Sequence, residues 1–422
     1  MRFKKWIVLI LAGLMLFSCA SKEDRTEDAD DTSEAAVGTD VVTAIPLAAA
    51  HTEPSPREAD DTLRDAVISF SETFYRTLEA DRDGNAVYSP LSLYYALALT
   101  SNGALGDTKE ALEKALGIGT DELNAYLYAL TSKLGETGSS TVKISNAFWG
   151  NADNFEVSPD FKTVARKYYD AEASSLSFSD PATLAAINDW VSQKTDGMIP
   201  TLFDSLDPGM IMALVNTVLF DGVWEEEYEE RDIFEDRFTV GPGSVSLAEY
   251  LFSKEYSYFT TTGGVGFSKA YKDGYRFIAV LPDGDVGDFA AKMDLTDIIK
   301  KSGESRAECE AYIPKFEFET ARTLNDVAEQ LGAGRALTED AELGGLSADG
   351  VNDIMISTIL QKAKIILNEH GTKAAAATGI TFGTTALPEP VPEVFLNRPF
   401  FFVIVDTDGI PLFLGTVENP AE

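Results

Sequence analysis

Residues 368–400 read NEHGTKAAAATGITFGTTALPEPVPEVFLNRPF, and the fold hangs on how they are read. The stretch leaves one strand-like run, KAKIILNE at 362–369, and needs more than twenty residues to reach the next, RPFFFVIVD at 398–406. Connections of that length inside a domain are uncommon and are usually functional or unstructured. The first half, with Gly371, Thr372, Ala374, Ala375, Ala376, Ala377, Thr378 and Gly379, carries small side chains that meet little resistance in a packed setting. No proline removes a backbone donor before Pro388, so this half could serve as a strand within a sheet. The far half, holding Pro388, Pro390 and Pro392, could not. Composition alone favours a plain Ala/Gly linker, and the helix propensity of alanine leaves a short helix open.

Outward from this segment the chain divides into helices first and strands later. Leu63, Val67, Phe70, Phe74 and Leu78 recur every three or four residues, the mark of a helix with one buried face. SPLSLYYALALTSNGA starts a second helix, with Ser89 as cap and Pro90 in the first turn, and its near-continuous apolar run implies deep burial. SPDFKTVARKYY and DPATLAAINDWVSQ are further helical patterns. MALVNTVLF, YRFIAVLP, KAKIILNE, RPFFFVIVD and PLFLGTV are rich in branched and aromatic residues and end at Gly, Pro or Asp, which predicts strands. The expected class is α+β, and no internal repeat is present.

Composition narrows the function classes. A formal net charge of −35 argues against nucleic acid or an anionic membrane as working partner and would steer in a basic one. A hydrophobic content of 45% is ample for one large core in a chain of 422 residues. Two cysteines, Cys19 and Cys309, supply no disulfide framework, and Cys309 in AECEAYIPKFEFE reads as a small core residue of a strand. The two histidines, His51 and His370, leave histidine-based nucleophiles and histidine-rich metal sites without raw material. No cofactor or metal is expected. A glycosidase-type carboxylate pair could hide among the many acids, but no local motif marks one.

The beginning of the chain reads as an address. Arg2, Lys4 and Lys5 precede an apolar run from Trp6 to Phe17, too short to span a bilayer comfortably and suited to export. Leu16-Phe17-Ser18-Cys19 resembles the box at which bacterial lipoproteins are cleaved and acylated. That resemblance implies a signal peptide over residues 1–18 and lipidation at Cys19, with several acyl chains giving a stable anchor. Residues 19–61, where acidic side chains far outnumber basic ones, read as an acidic disordered tether, and residues 62–422 as the folded domain. The expected location is extracytoplasmic, on a bacterial membrane with the lipid as sole membrane contact, and cell-surface exposure is suggested by Lys22-Glu23-Asp24.

ILNEHGTKAAAATG resembles the hinge of inhibitory serpins, and similarity extends over essentially all of residues 62–422. It includes NAVYSPLSLYYALALTSNGALGDT, ISNAFWG, INDWVSQKTDGMIPTLF, LVNTVLFDGVW, YIPKFEFET, LNDVAEQLGAGRALTEDAELGGLS and NRPFFFVIVDTDGIPLFLGTVENP. The resemblance implies three β-sheets, roughly nine helices and an exposed reactive-centre loop. It also implies a monomeric suicide substrate of a serine protease, with cysteine proteases a further option. In that mechanism the target forms an acyl-enzyme with the loop, and the cut loop then inserts into the large sheet and distorts the protease. The alternative is a non-inhibitory serpin acting as a surface binding protein, against which the small-residue hinge speaks.

Carried over residue by residue, the hinge falls on Glu369, Gly371, Thr372, Lys373, Ala374, Ala375, Ala376, Ala377 and Thr378. Thr372, Ala374, Ala376 and Thr378 are expected to face the core on insertion, with Lys373 and Ala375 facing out. His370 and Lys373 stand where the family is usually acidic. Counting from Glu369 puts the scissile bond at Thr385-Ala386, with Ala386-Leu387 next; proline after Leu387 disfavours cleavage there. Such a bond suits an elastase- or subtilisin-like protease with a small or shallow apolar pocket. Ser89, Ser92, Asn216 and Gln361 match the shutter that parts to admit the loop, and Trp224 matches the breach where it enters.

Overall fold

In the computed structural model, residue 57 and residues 60–79, 84–134, 138–372 and 391–422 are described. The buried face of helix Asp61–Glu79 contains Leu63, Val67, Phe70, Phe74 and Leu78, and Asp60 accepts hydrogen bonds from the Thr62 and Leu63 amides at 2.9 and 3.3 Å. Helix Pro90–Ser101 begins where Ser89 Oγ accepts from the Ser92 amide at 3.2 Å, and every one of its residues is buried. A helix apolar on all sides belongs in the interior. It packs against strands from two different sheets, Met212–Val223 and Pro411–Val417. Gly106–Leu116, Thr120–Leu134, Pro159–Tyr169 and Pro181–Lys194 follow, then the shorter Val286–Ala290, Leu295–Glu304 and Asn325–Ala328. That makes nine α-helices among the described residues, six of them before residue 195: the four that the sequence patterns predict, and Gly106–Leu116 and Thr120–Leu134, which they do not mark.

Three sheets complete the α+β fold. One runs in the order 86–88, 411–417, 400–405, 276–282, 264–270 and 259–261, and its strands Phe400–Val405 and Pro411–Val417 are buried throughout, hence their unbroken apolar runs. A second, of four strands, runs 393–395, 309–314, 244–255 and 233–241; Cys309 sits in it fully buried, its thiol pushed up to about 12 first by burial and then by Glu255 and Glu308. That thiol is inert core.

The central sheet positions the candidate site. Its order is 316–323, 358–368, 371–372, 212–223, 141–151 and 172–176. Strand Thr358–Asn368 alternates strictly, with Ile359, Gln361, Ala363, Ile365 and Leu367 inward. At one end it pairs directly and in parallel with Met212–Val223, from Thr358 opposite Ala213 to Gln361 opposite Asn216. At the other end the same two strands no longer face each other. Gly371 and Thr372 lie between them, antiparallel to both: Thr372 is opposite Leu367 on one side and Gly222 on the other. The sheet therefore has a seam, closed at one end and wedged open at the other by Gly371 and Thr372.

Candidate functional site

The closed end is lined by polar groups that burial obliges to pair. Asn146, Asn216 and Gln361 stand in one row across three strands, Asn146 opposite Asn216 and Asn216 opposite Gln361. All three are buried. Gln361 Oε1 accepts from the Ser89 amide at 3.0 Å while its Nε2 donates to the Ser89 carbonyl at 2.8 Å. Ser92 Oγ donates to Asn216 Oδ1, and Asn216 Nδ2 donates to Asn146 Oδ1. The start of the buried helix is thus tied separately to each of the two strands that meet at the seam. Ser89, Ser92, Asn216 and Gln361, far apart in sequence, come together here. Asn146 joins them unforeseen, although it lies in the quoted ISNAFWG run.

The wedged end is built on aromatic rings. Trp224, fully buried, stacks on Tyr271 with centroids 4.1 Å apart and planes within 9°. Its amide donates to the His370 carbonyl at 3.0 Å and its indole Nε1 to the Asn368 carbonyl at 2.9 Å; the Tyr228 amide donates to the Glu369 carbonyl at 3.1 Å. Three successive carbonyls, those of Asn368, Glu369 and His370, are therefore clamped by the segment that directly follows strand Met212–Val223. Gly371 has φ +146°, and a Cβ there would lie 1.9 Å from the Gly222 carbonyl oxygen, so only glycine passes. Thr372 is buried, with its Oγ 2.7 Å from the Tyr271 hydroxyl, on the inward face as expected.

Charges flank the clamp. Lys315 Nζ is 2.8 Å from Glu369 Oε2, and His370 Nδ1 is 2.9 Å from Glu227 Oε2, which lies in the same carboxylate that Lys272 approaches at 3.6 Å. Burial pushes the Glu369 carboxyl upward, but the Lys315 ammonium, a backbone N–H and His370 together outweigh it and hold the group below its usual range. His370 thus has an acidic partner in Glu227.

Glu369, Gly371, Thr372 and Trp224 are assembled at this end. Lys373, Ala374 to Ala377, Thr378, Thr385, Ala386 and Cys19 lie outside the described residues. Sequence reading missed Tyr271 and Tyr228, whose YKDGY and EEEYEE surroundings carry no distinguishing signal. No group of three or more His, Cys, Asp or Glu able to hold a metal occurs among the described residues, nor any helix long and apolar enough to cross a membrane.

A sequence profile described as serpin (serine protease inhibitor) matches residues 65–420. Human alpha-1-antichymotrypsin is 30% identical over 376 residues, which cover 85% of this chain and 88% of the human one. Among solved structures, the thermophilic serpin tengpin in its native state superposes with a TM-score of 0.81 at 34% identity, covering 87% of this chain and 97% of tengpin. Tengpin in its latent state, also 34% identical and covering 86% of this chain and 99% of its own, gives 0.74.

Proposed function

The chain belongs to the serpin family, and from that premise we propose that it is an irreversible suicide-substrate inhibitor of a serine protease with a small or shallow apolar pocket. The observation that carries this reading is the placement of Gly371 and Thr372 between two strands that are otherwise parallel neighbours. They are the first two residues of an antiparallel strand already in register.

Continuing that register gives the consequence. Ala374 would come level with Ile365 and Phe220, Ala376 with Ala363 and Val218, and Thr378 with Gln361 and Asn216. The inward positions would thus be filled by small residues until the polar row is reached, where a threonine hydroxyl can join hydrogen bonds. Lys373, facing outward, would come level with Asp221. About a dozen new ladder bonds at roughly 0.5–1.5 kcal/mol each amount to the order of ten kcal/mol before the cost of ordering the strand. The intact form would hold that reserve kinetically. This agrees with the better superposition on the native than on the latent relative.

In this mechanism the target's nucleophile attacks Thr385-Ala386, and the acyl-enzyme forms with release of the new amino terminus at Ala386. The freed loop enters the seam before water reaches the ester and carries the protease with it. Distortion of the protease displaces its nucleophile and oxyanion donors, which supply much of its rate, and deacylation stalls. The acidic surface would draw a cationic protease, and acylated Cys19 would hold the inhibitor on a bacterial membrane outside the cytoplasm.

The test is incubation of the full chain with an elastase-type and a trypsin-type protease. A covalent complex with the former that survives denaturing gel electrophoresis is the expected result. Clipping without any such complex by either enzyme would replace the inhibitory reading with that of a surface binding protein.

A further inference from the structure

Lysine is among the side chains least often buried, and an ammonium removed from water must be paired. Lys269, at the end of strand Gly264–Ala270, is only 4% exposed. Its Nζ lies 3.0 Å from Oε1 of Glu255, which ends strand Ser244–Glu255 of the second sheet. The same carboxylate oxygen accepts from Ser253 Oγ at 2.7 Å, and that hydroxyl is 3.3 Å from the Tyr228 hydroxyl. The ammonium also stands over two aromatic rings, 4.4 Å from the centroid of Tyr228 and 5.7 Å from that of Trp224. Burial lowers its pKa, but Tyr228 and Glu255, with Glu226 contributing less, outweigh that and hold it above the usual lysine value.

Packing does not require this arrangement. A buried ion pair replaced by apolar groups of similar volume often leaves a fold equally stable or more so. What distinguishes the place is its neighbours. The two rings under the ammonium belong to the two residues whose N–H groups clamp the carbonyls of Asn368, Glu369 and His370. Trp224 in turn stacks on Tyr271, whose hydroxyl meets Thr372. From Glu255 through Lys269 to the rings and on to the hinge, a continuous set of contacts joins the second sheet to the mouth of the seam. Attraction between a desolvated cation and a ring face has a preferred geometry and so fixes where a ring lies, as a methylene contact does not.

We propose that Lys269, neutralised by Glu255, is a positioning residue of the hinge clamp: its ammonium fixes Trp224 and Tyr228 so that their three donors stay on the root of the loop, and thereby sets the rate of loop entry. The link to loop entry rests on the inhibitory reading above; the link to the clamp does not.

The experiment compares the full chain with the double variant K269M/E255Q, which removes both charges together and leaves no buried carboxylate unpaired. Exchange of the Trp224 and Tyr228 amides with deuterated solvent, in the absence of protease, is expected to quicken about tenfold, the scale of one weakened hydrogen bond. The amides of residues 213–216 at the closed end should keep their protection. With an elastase-type protease, the variant should yield a larger share of cleaved inhibitor relative to covalent complex. K269Q, which keeps a donor for Glu255 but no charge, repeats the test should the double variant not fold.

Unchanged exchange at Trp224 and Tyr228 overturns the proposal. So does a uniform loss of protection across the central sheet, which would mark Lys269 as a general stabiliser, and so does quickened exchange with an unaltered share of covalent complex. Absence of covalent complex from the unmodified chain would instead refute the inhibitory reading, and the exchange measurement would still decide whether Lys269 holds the clamp.

Discussion

The two ends of the central seam are held shut by different means. At the closed end, strands Met212–Val223 and Thr358–Asn368 touch through four residue pairs of backbone, while Asn216 and Gln361 direct their side chains to the helix at Ser92 and Ser89. Each strand is tied to the helix, and across the paired residues the two are joined by ladder bonds, with the Ile211 amide donating to Ser357 Oγ at 2.9 Å just ahead of them. An entering strand could replace those bonds one for one without orphaning a buried side chain. At the wedged end the tie crosses the seam: carbonyls of 368–370 are bonded to donors of Trp224 and Tyr228, just past strand Met212–Val223. Under the inhibitory proposal the difference would assign separate tasks, with the closed end parting and re-forming and the wedged end setting where a strand begins to enter.

The strongest way to break this contrast is to cut the loop. Cleavage after Thr385 should raise the resistance to heat and urea by an amount on the order of ten kcal/mol, less the ordering cost, as residues 373 onward fill the seam. Denaturation of intact and cleaved protein side by side checks it, and equal midpoints would mean the seam is not an entry path.

Next in size is T372R. A guanidinium placed beside buried Tyr271 with no partner costs several kcal/mol, so the loop should be held out of the seam and the protein should be cleaved as an ordinary substrate. Gel electrophoresis of the reaction mixture reads the loss of covalent complex.

A change remote from both ends provides the control. Asp406, in the turn after strand Phe400–Val405, accepts from the Asp408 and Ile410 amides through Oδ1 at 2.9 and 2.7 Å, while its Oδ2 is buried without a hydrogen-bond partner. Burial raises its pKa from 3.8 to about 6. Below pH 4 both folded and unfolded chains are protonated and nothing is lost. Between pH 4 and 6 the unfolded chain gives up a proton that the folded one keeps, so stability falls as pH rises and then levels off. D406N, which can retain Oδ1, should therefore be more stable than the original above pH 6 by up to about 3 kcal/mol and equal to it below pH 4. Urea titrations at both pH values test this, and the ratio of covalent complex to cleaved product should not move.

N216A probes the closed end directly. It leaves the Ser92 hydroxyl without its acceptor and Asn146 Oδ1 without its donor in the interior, at about 1–3 kcal/mol for each unmade bond. The intact form should lose that stability in urea while amide exchange at Trp224 and Tyr228 stays slow. The smallest effect belongs to E369Q: the Lys315 pair is partly exposed, so its loss should cost only about 0.2–1 kcal/mol and weaken with added salt.

Much of this was legible because it is written locally. The spacing from Leu63 to Leu78, the Ser89-Pro90 start and the apolar runs at 400–405 and 411–417 each specify an element from neighbouring residues, and the elements are found where the pattern puts them. The inward face of Thr372 followed from the two-residue period of a strand. Tyr271, Tyr228, Lys269 and Asn146 were not legible in the same way. A buried lysine in SKAY looks like any surface lysine until the sheets bring Glu255 and two rings to it, and a strand asparagine in ISNAFW reveals no partner.

The sequence by itself determined several of the helices and strands, and that residues 371–379, Lys373 apart, have side chains small enough to enter a sheet. Local propensity and side-chain volume suffice for those. Only the tertiary structure decided that strands 212–223 and 358–368 are parallel neighbours at one end and separated at the other, that position 371 admits glycine alone because the Gly222 carbonyl presses on it, and that a lysine, two tyrosines and a tryptophan converge where the loop begins. Pairing partners, backbone approaches and buried charges are set by distances between residues remote in the chain, which no local pattern encodes.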